Sequence, residues 1–252
     1  MLLAAKILEK RLPSRRPQVT FILGIRCANG LVMAADSLEG DGVTRRLVNK
    51  LVLKVRPEWG ICWGGAGHAR VVDKLSDKFQ LSLDAQHFDR NKIEAVMEVC
   101  LRSVKKKYPE EAIEIVAGLF GRSKKNKPES YLYKADSRSC CTSLEKHYCS
   151  AGTGDNSLAN FILSNTYSRF PRFVTVSEAL SLGVFVTSAM KEYADGVGGP
   201  TRVFYVDYAM MQWVPLVSPR VAEIEKIFTL QELEESVSSF WRKGQSTTQC
   251  NR

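Results

Sequence analysis

Thr20-Phe-Ile-Leu-Gly-Ile-Arg-Cys-Ala-Asn-Gly-Leu-Val-Met-Ala-Ala-Asp36-Ser37 opens the stretch that decides the fold. It resumes after a polar span as Asn49-Lys50-Leu-Val-Leu-Lys-Val55 and ends in Trp59-Gly-Ile-Cys-Trp-Gly64-Gly65. The apolar runs Phe21–Ile25 and Leu31–Ala35 flank Ala28-Asn29-Gly30. An Asn-Gly step between hydrophobic runs predicts a hairpin, because both residues tolerate positive φ. Leu51–Val55 and Gly60–Trp63, joined through Arg56-Pro57-Glu58, predict a second strand pair. A Thr, an Asp, a Lys and a glycine pair fall at the ends of these strands.

Those residues are the parts of an N-terminal-threonine nucleophile. A Thr hydroxyl needs a base beside it. A chain that begins with Thr carries one, since an α-amine titrates near ~7.7–8.0. An ammonium such as Lys50 favours the neutral, proton-accepting amine, and Asp36 can hold Lys50 charged and oriented. Backbone N–H groups at Gly64-Gly65, free of side-chain bulk, can bind a tetrahedral oxyanion. Taken alone, the same residues also fit a surface salt bridge beside a strand Thr.

Order and spacing carry the reading further. Thr20, Gly24, Gly30, Asp36-Ser37, Lys50 and Gly64-Gly65 resemble the catalytic β-subunits of the proteasome and their bacterial relatives, including HslV-type peptidases. The resemblance is dense from Thr20 to Gly65 and looser to Phe228. It implies that Thr20 is the nucleophile, Asp36 and Lys50 its activating pair and Gly64 the oxyanion donor; Cys62, beside the glycine pair, is expected to line the substrate pocket with Gly65. It also implies a four-layer αββα sandwich of the N-terminal-nucleophile hydrolase type, within the α+β class.

The leader stands in the way of this chemistry. Met1–Leu12 is apolar with interspersed Lys6, Glu9, Lys10 and Arg11, and it ends in Pro13-Ser-Arg-Arg-Pro17. It is too short and too charged for a secretory signal. It is basic enough for a mitochondrial transit segment, against which Glu9 counts. Thr20 inside a peptide bond has no free amine, so the mechanism requires removal of Met1–Val19 or translation that starts later. Self-processing in the resembled family follows a Gly. Val19 stands there in this chain, and it could itself mark the initiation codon. The expected organisation is a leader or misassigned start over residues 1–19, one domain over 20–243 and a flexible tail over 244–252.

The 252 residues are 44% hydrophobic, enough for one substantial core, and no run approaches the ~18 apolar residues of a membrane span. The seven cysteines are Cys27, Cys62, Cys100, Cys140, Cys141, Cys149 and Cys250. They are scattered and lack zinc spacing, which reads as reduced thiols in a cytoplasmic protein. The net charge of +9 invites a nucleic-acid reading. Its clusters, Arg45-Arg46, Lys105–Lys107 and Lys124-Lys125 with Lys127, lack the interleaved aromatics of a stacking surface and read as solvated faces.

Beyond Gly65 the pattern turns helical over Gly67–Leu83 and from Asn91, taken as an N-cap, to Tyr108. Strands follow at Ile113–Phe120, Tyr131–Lys134 and His147–Ala151. Gly152-Thr-Gly-Asp-Asn156 then leads into a helix over 157–165. This loop lacks the Gly-Lys-Ser/Thr ending of a P-loop. The resembled family carries Gly-Ser-Gly here, which leaves Thr153 open as a supporting hydroxyl or a structural turn residue. Thr175-Val-Ser-Glu178 is a capping box that opens a helix to Tyr193. Asp195 then matches a supporting Asp of the family, while Gly198 stands where a Ser is expected. Arg202–Val206 and Met210–Val217 read as strands, and Pro219–Ile227 and 229–243 as helices.

His68, His87 and His147 show no ligand spacing. Neither Gly-x-Ser-x-Gly nor His-x-x-x-His occurs, so no local signature supports a Ser/His/Asp triad or a metal. No cofactor is expected. The expected function is therefore a threonine endopeptidase acting on unfolded polypeptides. A catalytically silent subunit of the same fold and a small-molecule amidase are the alternatives. The resemblance adds a ring-shaped homo-oligomer and an ATP-dependent unfoldase as partners.

Overall fold

The computed structural model describes residues 20–40, 45–83, 88–123, 125–152, 156–169 and 174–227. The expected tail, the 229–243 helix, His87 and Thr153 lie outside them. The hairpin is β1 (Phe21–Cys27) and β2 (Gly30–Ala35), followed by the short ribbon β3 (Leu38–Gly40) and β4 (Arg45–Leu47). Then come β5 (Leu51–Val55), β6 (Trp59–Ala66), and helices α1 (Ala69–Leu83) and α2 (Arg90–Lys107). Strands β7 (Glu114–Arg122), β8 (Pro128–Asp136), β9 (Cys141–Glu145) and β10 (Tyr148–Gly152) lead to α3 (Asn156–Arg169) and α4 (Val176–Tyr193). β11 (Arg202–Asp207), β12 (Trp213–Pro215) and α5 (Ser218–Ile227) complete the described chain.

Two five-stranded antiparallel sheets result, β10-β1-β2-β11-β12 and β5-β6-β7-β8-β9. They form the inner layers of a four-layer αββα sandwich, and the period of two along each strand assigns the cores. On β1, Phe21, Leu23 and Ile25 face α3, α4 and α5, while Ile22 faces the other sheet. On β6, Ile61 and Trp63 pack under α1 and α2, while Cys62 lies between the sheets. Because both faces are covered, the inner strands read as unbroken apolar runs rather than alternating ones.

Several boundaries differ from the sequence reading. The first hairpin is present, with Cys27 opposite Gly30, but neither Asn29 nor Gly30 has positive φ. Asn29 instead ties three elements together. Its Oδ1 accepts from the Val176 N–H at the start of α4 (2.9 Å), and its Nδ2 donates to Asp207 Oδ2 on β11 (2.7 Å). Gly30 is demanded by crowding, since a Cβ there would sit 1.9 Å from the Val206 carbonyl oxygen of the neighbouring strand. The N-cap of α2 is Asp89 rather than Asn91, its carboxylate accepting from the Asn91 and Lys92 N–H groups. The capping box at Thr175 and Glu178 is complete in both directions. The last strand shrinks to Trp213–Pro215, because Met211 adopts φ 56°. The β3–β4 ribbon and β9 lie in polar stretches that carry no apolar alternation to announce them.

Gly30→Ala must move a backbone carbonyl rather than a side chain. The expected loss is about 1–3 kcal/mol, measurable as a lower thermal midpoint, whereas Asn29→Gly, if turn conformation were the requirement, would be neutral. We expect Asn29→Gly to destabilise as well, because it severs the ties to Val176 and Asp207.

Candidate active site

The end of β2 delivers Asp36 into the interior, where it is fully buried. Lys50 reaches it from the start of β5, its Nζ donating to both carboxylate oxygens at 2.8 and 2.9 Å with only 6% of its side chain exposed. The Phe21 N–H donates to Asp36 Oδ1 at 2.9 Å, and the Asp36 N–H returns a bond to the Phe21 carbonyl at 3.2 Å. This reciprocal clamp holds the chain immediately after Thr20. The Gly198 N–H completes the set on Asp36 Oδ2 at 3.1 Å. The residue that stands in place of the family Ser thus contributes through its backbone, which no change of side chain removes.

Thr20 is itself buried, and with Lys50, Gly64 and Gly65 it lines a cavity of about 120 Å³ between β5, β6 and α1. Gly152, paired opposite Phe21, has φ +146°. A Cβ there would lie 1.8 Å from the Thr20 carbonyl oxygen, so the close approach of β10 to Thr20 requires glycine. The Gly152 N–H donates to Glu114 Oε2 at 3.2 Å, and Glu114 pairs with Lys134 at 3.4 Å. The path into the 153–155 loop is thereby anchored, although Thr153 itself lies outside the described residues.

Burial lowers the Lys50 pKa, and the Asp36 carboxylate pulls in the opposite direction. The charge is retained by the ion pair at the expense of solvation. An ammonium so placed imposes its field on the Thr20 end of the cavity.

The other expected site residues are located differently. Cys62 does not line the cavity. It is wholly buried between the sheets, and its thiol is pushed up by burial alone. The period of two turns it away, and Trp63 faces α1 in its stead, donating from Nε1 to Ser76 Oγ at 3.1 Å. Asp195 is exposed in the turn after α4 and is not part of the cavity wall. Three wall residues were missed by sequence reasoning: Glu39 and Arg46, which pair across the β3–β4 ribbon, and Asp73 on α1. Arg45-Arg46 was legible only as a basic pair, and an isolated Glu or Asp carries no motif. Among the described residues no three His, Cys, Asp or Glu side chains gather as metal ligands. No described helix is long and apolar enough to cross a membrane.

A sandwich of two antiparallel sheets between two helical layers, with this site in it, has the proteasome-like N-terminal-nucleophile fold. Among the solved structures that it matches are Anbu proteins. An Anbu (Gly-1) mutant from Hyphomicrobium sp. strain MC1 superposes with a TM-score of 0.67 at 16% identity, over 90% of this chain and 96% of its own. Anbu from Yersinia bercovieri, described as an ancestral β-subunit, gives 0.65 at 16%, over 92% and 98%. The Anbu complex from Pseudomonas aeruginosa, described as a helical assembly, gives 0.66 at 14%, over 89% and 96%. At these identities the likeness is one of fold. It corrects the HslV-type resemblance: these structures are Anbu proteins, and nothing in the likeness points specifically to an HslV-type peptidase. No protein-family model and no curated protein matches the sequence.

Removing one member of the buried pair strands the other. Lys50→Met is expected to destabilise the fold by about 3–5 kcal/mol, with part recovered when Asp36→Asn is added. A double-mutant cycle by chemical denaturation measures the coupling. Because both charges are buried, Lys50→Ala is expected to cost stability in the same way.

Proposed function

We propose that the chain is a proteasome-like hydrolase subunit, a threonine peptidase whose nucleophile is Thr20 once its α-amine is free. The observation that carries this reading is the buried Asp36–Lys50 pair, bonded to the Phe21 N–H beside Thr20 at the wall of a cavity. In the proposed mechanism the neutral α-amine takes the Thr20 hydroxyl proton as Oγ1 attacks the scissile carbonyl. Lys50 keeps that amine unprotonated by its charge, and Asp36 keeps Lys50 in place. The Gly64 N–H stabilises the tetrahedral oxyanion. Collapse releases the amine product and leaves an acyl ester on Thr20, which water then hydrolyses. Thr153 supports this centre as a hydroxyl after Gly152; the exposed position of Asp195 favours leaving it out.

The substrate is an unfolded polypeptide strand, and the domain begins at Thr20, with residues 1–19 removed beforehand. The core between the sheets shares strands with each of the two outer cores, which supports a single domain. Self-association belongs to the reading too: the helical assembly described for the Pseudomonas aeruginosa Anbu complex supports a homo-oligomer. A closed ring and an ATP-dependent unfoldase are finer proposals that rest on the family resemblance.

A peptide epoxyketone or vinyl-sulfone probe, read by mass spectrometry, should add one equivalent to the Thr20 peptide and none to Thr20→Ala. N-terminal sequencing of the native protein should begin at Thr20. A native chain that starts at Met1 and takes no label makes it a catalytically silent subunit. The pH profile supplies a further check. Lys50 acts as an ammonium, and its pKa is lowered by burial. Its charge, and the activity, should therefore be lost on the alkaline side at a pH below the ordinary lysine value of about 10.4. The acid limb follows protonation of the Thr20 amine.

A further inference from the structure

We propose that the cavity beside Thr20 selects peptides with a long basic side chain, lysine or arginine, just before the scissile bond. The inference rests on Thr20 being the nucleophile and adds the substrate class. Its basis is the division of the cavity wall into two kinds of surface. On the inner side Trp63, Leu75 and Phe79 are buried and apolar, joined by the half-buried Val52 and Val72. On the outer side stand Glu39, whose side chain is 14% exposed, and Asp73 on α1.

A side chain extended from Thr20 along this wall meets hydrocarbon on one flank and carboxylate on the other. That suits an aliphatic stem ending in a cation, which buries its methylenes and keeps its charged head at a polar edge. A wholly apolar side chain would leave the acids without a new partner. An acidic one would meet like charge.

The charges that face this mouth come from every element around it. Lys50 is held by Asp36 at the Thr20 end, and Glu39 is bonded by Arg46 from β4. Burial raises the Asp73 pKa, the like charge of Glu39 adds to it, Arg46 opposes it and Asp77 adds a little more. Arg46 is 71% exposed and is held at this edge by its pairing with Glu39. A guanidinium or ammonium from a substrate can take its place or add to it at Asp73. The chain as a whole carries +9, and at this edge Glu39 and Asp73 face the Arg46 guanidinium.

The test uses the chain with a free Thr20 amine and three epoxyketone peptides that differ only in the residue next to the warhead: Arg, Leu or Glu. We expect labelling of Thr20 to be fastest with Arg, and faster than with Glu by at least about tenfold, the worth of one well-placed charge pair. Asp73→Asn with Glu39→Gln should cut the Arg-to-Glu ratio by about the same factor. Arg46→Ala should raise it, because the resident cation is gone. Each ratio is taken within one preparation, so incomplete folding of a variant cancels. Labelling by Leu or Glu that equals or exceeds labelling by Arg overturns the basic preference and leaves Thr20 as the nucleophile. No labelling by any of the three overturns the nucleophile reading and the preference together.

Discussion

One buried carboxylate holds this site together. Asp36 is fully buried and accepts from Lys50 Nζ on both oxygens, from the Phe21 N–H and from the Gly198 N–H. Four parts of the chain meet there: the start of β1, the end of β2, the residue before β5 and the turn leading to β11. An ionised carboxylate in an apolar interior is tolerable only when its oxygens are filled with donors. Satisfying Asp36 therefore fixes where Thr20 stands, where Lys50 points and how the 194–200 turn folds back. The Ser37 and Leu38 N–H groups, both bonded to the Gly198 carbonyl at 3.1 and 2.9 Å, lock the same turn from its other side. Fold and chemistry draw on the same constraint, which is why changes at the pair are expected to register in both.

Much of this was legible in the sequence because it rests on local rules. The apolar runs around Asn29, the capping box at Thr175 and the order Thr20, Asp36, Lys50, Gly64 each depend on spacing along the chain. What was not legible depends on contacts between distant segments. Nothing near Gly30 shows that its Cα lies against Val206, and positive φ was the wrong reason for the right hairpin. Nothing near Gly198 shows that its N–H, rather than a side chain, meets Asp36. Cys62 was placed on the cavity wall from its nearness to Gly64-Gly65. A residue two positions from Gly64 shares its face of the strand, and that face turns into the gap between the sheets. Glu39 and Arg46 were hidden because a three-residue strand in a polar stretch has too little pattern to read.

The sandwich also explains why the cavity has the chemistry it does. β6 is the strand through which the two environments touch. Cys62 and Gly64 face the gap between the sheets, whereas Trp63 and Gly65 face α1. Successive residues of one strand therefore supply an apolar floor and a bare stretch of backbone to the same cavity. At Gly64 a side chain would meet Ile22 and the Lys50 carbonyl, and at Gly65 it would meet Val72 at 2.6 Å. The glycine pair is thus required by the packing of β5 and α1 before any catalytic role is assigned to it. Packing that excludes side chains leaves bare backbone at this point of the wall. The oxyanion role proposed for Gly64, beside the buried Lys50 ammonium, would draw on that arrangement. Here the close approach of a sheet and a helix supplies it, so the glycine pair answers to packing as well as to the proposed chemistry.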